Sequence, residues 1–172
     1  KKRFSVAIFG DTHLDPLPTA PDASHPRANQ RLAAVLASIA ANRPAFAIHL
    51  GDVIHPLPEL AAAQAEATDA ARAMLAGIAC PLHVTPGNHD IGDKPNPLMP
   101  ARTVRAEWLA RFEECYGPSW RVVDHADCRF VMANAPLFNT GTAAEDAQWA
   151  FLESALAEAP GRLFFATHYP LF

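Results

Sequence analysis

Short apolar runs alternate along this chain with stretches of helical periodicity. Phe4-Ser5-Val6-Ala7-Ile8-Phe9, Ala45-Phe46-Ala47-Ile48-His49-Leu50 and Pro81-Leu82-His83-Val84 read as buried strands. Between the first two, Leu32, Val35, Leu36 and Ile39 recur at helical spacing and predict a helix from about Arg27 to Asn42. An alanine-rich helix follows the second, roughly Pro58 to Gly77, with Pro58 suited to its first turn and Gly77 to its stop. A helix from about Thr103 to Cys115 carries Trp108 and Phe112 and ends at Tyr116-Gly117-Pro118. Trp120–Val123 and Arg129–Ala133 predict two strands joined by a turn at Asp124–Asp127. A helix around Gln148 places Trp149, Leu152 and Leu156 on one face, and Leu163–Ala166 is a last strand. Segments 14–26 and 91–100 are rich in proline and read as loops.

The early order of strand, helix, strand, helix, strand calls for a parallel α/β sheet, and the later pair of strands for an antiparallel addition. In open α/β sheets, sites form at the carboxyl ends of strands. The apolar runs end at Gly10-Asp11-Thr12-His13, Gly51-Asp52-Val53-Ile54-His55, Thr85-Pro86-Gly87-Asn88-His89-Asp90 and Thr167-His168-Tyr169-Pro170. Asp11, Asp52, Asn88 and His168 are therefore expected to converge on one edge. Gly87 is expected where a side chain would obstruct the turn.

Composition narrows the chemistry. With 172 residues, half of them hydrophobic, the chain is one domain with a real core. A net charge of −4 argues against nucleic acid and anionic lipid as partners. No apolar run reaches membrane-spanning length, and no secretory signal is present, although a cleaved one could have preceded Lys1. Cys80, Cys115 and Cys128 are few and far apart, which fits a reducing, cytoplasmic compartment. Oligomeric state is left open.

Two carboxylates, several imidazoles and an amide, with no thiolate, suit a first-row ion such as Mn, Fe, Zn, Co or Ni. Asp11 and His13, two apart, can chelate one ion. Asn88 and His168 can serve a second, with Asp52 as bridge. Such a pair can activate a hydroxide and clamp a phosphate ester. His89 is placed to protonate the departing alkoxide, and Asp90 to fix its orientation. His55 sits on the rim, where it can contact phosphate. His25 and His125 read as solvated. His49 and His83 read as core or sheet-face histidines with one hydrogen-bond partner each. Trp108, Phe112, Trp149 and Leu152 read as core.

Asp11-x-His13, Gly51-Asp52, Gly87-Asn88-His89-Asp90 and Thr167-His168 resemble, in order and spacing, the first four blocks of the calcineurin-like metallophosphoesterase superfamily. The resemblance implies a sandwich of two mixed β-sheets flanked by helices and a dinuclear centre. It implies Asp11, His13, Asp52, Asn88 and His168 as metal ligands and His89 as the acid. Gly51-Asp52 continuing as Val53-Ile54-His55 looks most like the cyclic-nucleotide-phosphodiesterase-like branch. The expected substrate is then a small phosphodiester or phosphomonoester, such as a cyclic nucleotide. A nuclease on the same site is one alternative, since repair exonucleases of the superfamily often carry histidine at the position of His55. A non-catalytic scaffold is another. The family's fifth block, Gly-His-x-His, has no counterpart downstream of His168. The single domain, 1–172, is therefore expected to be C-terminally incomplete, with one protein ligand fewer per ion and weak or absent turnover.

Overall fold

In a computed structural model, residues 3–16, 28–98, 102–157 and 161–170 are described. The elements run β1 (Val6–Phe9), α1 (Ala28–Asn42), β2 (Phe46–His49), α2 (Ala61–Leu75), β3 (Leu82–Val84), a one-turn α3 (Asn88–Ile91) and α4 (Ala106–Tyr116). They continue with β4 (Arg121–His125), β5 (Cys128–Met132), a 3-10 turn (Ala135–Leu137), α5 (Ala143–Ala157) and β6 (Arg162–Ala166).

Two three-stranded sheets result. The first, β1-β2-β3, is parallel throughout, with Val6 opposite Phe46 and Ala47 opposite Leu82. Helices α1 and α2 make the long crossovers that parallel neighbours require. The second, β4-β5-β6, is mixed: β4 and β5 form a hairpin, and β6 runs parallel to β5 with Ala166 opposite Met132.

Strand alternation divides the apolar side chains between layers. Phe46 and Ile48 from the first sheet pack with Cys128, Phe130, Met132 and Ala166 from the second. The Phe46 and Phe130 rings meet edge to face at 5.1 Å. On the outer side of the first sheet, Leu32, Ala67, Ala71, Trp108 and Phe112 build the helix-facing core with Leu14, Ile54 and Leu137. Val131 and Ala133 meet Leu152 and Ala155 of α5 on the outer side of the second. The order of layers is thus helices, sheet, sheet, helix, an α/β sandwich flanked by helices.

Several local expectations shift. Helix α2 begins at Ala61, after Leu60 as its cap, so Pro58 lies in the preceding turn. Along α5 the buried set is Glu145, Gln148, Leu152 and Ala155, while Trp149 is 49% exposed and Leu156 42%. Gln148 turns inward because its amide pairs with the Asn134 backbone, Oε1 accepting from N at 2.7 Å and Nε2 donating to O at 3.1 Å. Trp149 instead lies against Phe138. His125 is a half-buried member of β4, with its ring 4.5 Å from that of Phe4. His83 Nδ1 is buried without a hydrogen-bond partner. His25 lies outside the described residues, as do 17–27 and 99–101 of the expected loops. Cys80, Cys115 and Cys128 are free thiols. Among the described residues no helix is long and apolar enough to cross a membrane.

Candidate metal centre

The chain leaves β1 and β2 side by side and keeps pairing beyond the strands. Asp11 N donates to Gly51 O (2.9 Å), His13 N to Asp52 O (3.0 Å) and Leu14 N to Val53 O (3.0 Å). The return bond is His55 N to Leu14 O (3.0 Å). This zipper holds Asp11, His13 and Asp52 at φ of 51°, 42° and 52°, a left-handed region costly for residues with a Cβ. The third loop presses on the second. A Cβ on Gly51 would lie 2.3 Å from Gly87 N, and one on Gly87 would lie 2.2 Å from Asp52 Oδ1. Gly87 itself is extended, with φ −104° and ψ −174°. Glycine is required there for room beside the Asp52 carboxylate rather than for the turn.

Asp52, only 4% exposed, is the centre of the arrangement. Its Oδ2 faces His13 Nε2 at 3.4 Å and its Oδ1 faces His168 Nε2 at 3.6 Å. Asp11 Oδ1 lies 3.9 Å from the same His13 nitrogen, on the open side. Ligand atoms of Asp11, His13 and Asp52 all fall within 4.8 Å of one another. His168 Nδ1 donates to Leu50 O at 3.0 Å, which leaves the Nε2 lone pair directed at the centre. The second sheet delivers His168 through backbone contacts. Thr85 Oγ1, two residues before Gly87, donates to Ala133 O (2.9 Å), and Ala133 N donates to Ala166 O (2.9 Å).

Asn88 and His89 open α3, Asn88 buried and His89 half-buried. His89 N donates to Asp52 Oδ1 at 2.9 Å, and His89 Nδ1 hydrogen-bonds to the His55 carbonyl. His55 is drawn in as well: ligand atoms of His13, His55 and His89 also lie within 4.8 Å of one another. Asp90 takes a different post from the one expected. Its carboxylate accepts from Gly87 N (2.9 Å) and Val53 N (3.0 Å), tying the second loop to the third, while the His89 ring is oriented by His55. Burial pushes the Asp90 carboxyl up to about 8, reinforced by Asp52 and opposed by these backbone N–H groups.

Two residues support the site from behind: His49, read from the sequence as a core histidine, and Gln64, which sequence reasoning missed. His49 is fully buried and has two partners, not one: Gly51 N donates to its Nδ1 (3.1 Å), and its Nε2 meets Thr12 Oγ1 (2.9 Å). The Thr12 hydroxyl already donates to Val53 O, so His49 is the neutral Nε2–H tautomer. Burial, with His168 and His13 nearby, holds its pKa down at about 3. Gln64 on α2 donates to the carbonyls of His89 (3.2 Å) and Asp90 (3.1 Å). Its spacing in an alanine-rich helix carries no signal of that contact.

Parallel strands that end in clustered carboxylates and imidazoles, backed by a second sheet, form an architecture suited to holding metal ions. The model of the calcineurin-like phosphoesterase family matches residues 4–172, and the chain belongs to that family of metal-dependent hydrolases of phosphate esters. At the sequence level no curated protein matches it. Among solved structures it is similar to a dimetal phosphatase from Danio rerio, at 15% identity and a TM-score of 0.66, over 98% of this chain and 70% of that one. It is also similar to purple acid phosphatase PPD1 from yellow lupin (Lupinus luteus) seeds, at 21% identity and a TM-score of 0.58, over 95% of this chain and 30% of that one. At these identities the likeness is one of fold.

The residues present fit the two metal ions that the family implies. Each oxygen of a buried carboxylate faces a different imidazole, the His168 tautomer leaves a lone pair inward, and a Cβ at position 87 would fill the space. Oxygen and nitrogen donors without thiolate match a first-row ion.

Proposed function

We propose that Asp11, His13, Asp52, Asn88 and His168 hold two first-row ions (Mn, Fe, Zn, Co or Ni) and that His89 is the general acid for hydrolysis of a phosphodiester or phosphomonoester. One observation carries this reading: the Asp52 carboxylate stands between His13 and His168, at 3.4 and 3.6 Å. When bound, the ions supply Lewis-acid activation of water and of the phosphate oxygens. The chain's own residues do the rest. Asp52, fixed by His89 N, orients both halves of the site. His89, with Nδ1 engaged by the His55 carbonyl, keeps Nε2 for the leaving oxygen. His55, whose ring stacks 5.4 Å from that of His89, is placed to contact the substrate phosphate.

The favoured substrate is a small phosphodiester such as a cyclic nucleotide, consistent with Val53-Ile54-His55 after Asp52. Histidine at position 55, as in repair exonucleases of the superfamily, supports a second reading, a nuclease on the same site, against which the acidic net charge weighs. Elemental analysis of the purified full-length protein, run beside a cyclic nucleotide, a bis-aryl phosphate, an aryl phosphomonoester and single-stranded DNA, separates the readings. Bound first-row metal with turnover of the small esters is expected. Turnover confined to DNA would select the nuclease, and full metal with no turnover of any ester would mark a binding scaffold instead.

A further inference from the structure

We propose that Gln64 is a positioning residue for His89, acting through the backbone of α3 and held in place by Arg111. The inference rests on the reading of His89 as general acid. Helix α3 has four residues, so most of its carbonyls have no partner within the helix. Gly92 N satisfies Asn88 O at 3.0 Å. The next two carbonyls, those of His89 and Asp90, both receive the Gln64 side-chain amide. Gln64 is 4% exposed, and its Oε1 accepts from Arg111 Nη2 on α4 at 2.7 Å. That bond fixes which end of the amide carries the donors, so the orientation toward α3 is set by α4.

The packing behind α3 gives this contact its weight. A cavity of about 130 Å³ opens there, lined by Gln64, Asp90, Arg111, Trp108 and Tyr116 among others, and the Tyr116 hydroxyl is buried beside it without a hydrogen-bond partner. Ile91 anchors the end of α3 in the apolar core with Trp108 and Phe112, while the cavity leaves the side near Gln64 more open. Hydrogen bonds also tie the helix down: His89 N to Asp52 in front, Gly87 N and Val53 N to the Asp90 carboxylate, and Gln64 to the His89 and Asp90 carbonyls behind. A small shift of α3 carries the His89 ring away from the leaving oxygen, and acid catalysis is steeply sensitive to that distance.

The test compares an alkyl phosphate ester, which needs a proton on its leaving oxygen, with a nitrophenyl ester, which does not. Gln64→Glu keeps the size and the acceptor for Arg111 but turns an oxygen toward two carbonyls. Gln64→Met keeps volume and removes both functions. In the metal-loaded protein, each variant is expected to lose about tenfold in kcat on the alkyl ester and less than about threefold on the nitrophenyl ester. Manganese affinity by calorimetry should stay within about threefold, because Gln64 touches no metal-ligand side chain and Asp90 still ties Gly87 to Val53. Arg111→Met, which reaches Gln64 from the far side, should show the same selectivity at smaller size, and it decides the matter if the Gln64 variants do not fold. Equal losses on both esters, or a lowered melting temperature with unchanged kinetics, would reduce Gln64 to a structural core residue and overturn the proposal. His89→Ala is the control. Leaving-group-selective loss there but not in the Gln64 and Arg111 variants defeats the positioning role alone. Absence of selectivity in His89→Ala defeats the acid reading and this inference with it.

Discussion

At the ends of β1 and β2, Asp11, His13 and Asp52 all take left-handed backbone with side chains attached. At the end of β6, His168 reaches the same point from a backbone with negative φ, through its side chain and one bond to Leu50 O. The first sheet builds its share of the site from loop conformation, and the second contributes by reach. Left-handed non-glycine residues do occur in the second half, at Ala126 and Asn139, but neither belongs to the candidate ligand set. Each such conformation costs about 1–2 kcal/mol. Three of them within two zippered loops persist because the inter-loop hydrogen bonds over-determine them.

The contrast is tested most severely at Asp52. Asp52→Asn should abolish stable occupancy of both ions and lower ester hydrolysis on the order of a thousandfold, about 4 kcal/mol of lost transition-state stabilisation. His168→Asn, the second sheet's contribution, should lose the more weakly held ion and keep the other. Elemental analysis and initial rates distinguish the two, and full metal content in Asp52→Asn would contradict its central place.

Gly87→Ala comes next. Its Cβ would meet Asp52 Oδ1 at 2.2 Å and Asp52 N at 2.5 Å, so the loop must move, at about 3 kcal/mol with metal lost as well. Chemical denaturation of the metal-free protein measures the first part.

His49 gives a pH signature. Its folded pKa, about 3, lies below the ordinary 6.5, so the unfolded chain binds the extra proton. Stability is therefore full above about pH 6.5 and is lost as pH falls toward 3, with a slope of at most about 1.4 kcal/mol per pH unit from this group. His49→Gln, which retains one donor and one acceptor, should flatten that slope in denaturant titrations. The smallest effect belongs to the other half of the molecule. Gly141→Ala, at φ +67° with nothing within 4 Å of the added Cβ, should cost about 1 kcal/mol and leave metal content unchanged.

Much of this was legible in the sequence because the chemistry follows the apolar runs directly. Asp11, Asp52 and Asn88 follow the ends of β1, β2 and β3, which parallel topology brings together, whereas His168 follows β6 of the second sheet, not the same edge as expected. What was not legible depends on partners distant in sequence. Asp90 reads as a neighbour of His89, yet its carboxylate binds Val53 N, 37 residues away. Gln64 is an ordinary helix residue until α3 is packed against it. Trp149 belongs to the apolar stripe of α5 by hydrophobicity, but Gln148 takes the inward place because two backbone groups of Asn134 require it. Polar demand there outweighs the apolar count.

The pairing of Leu14 with Ile54, just past the proposed ligands Asp11, His13 and Asp52, closes the far side of the first two loops. Cation uptake then requires no ordering of that backbone, and the entropy of arranging it is spent during folding rather than during loading. Exchange of one ion for another should accordingly proceed as a local event, at rates set by dehydration and access, with the chain serving as a rigid socket.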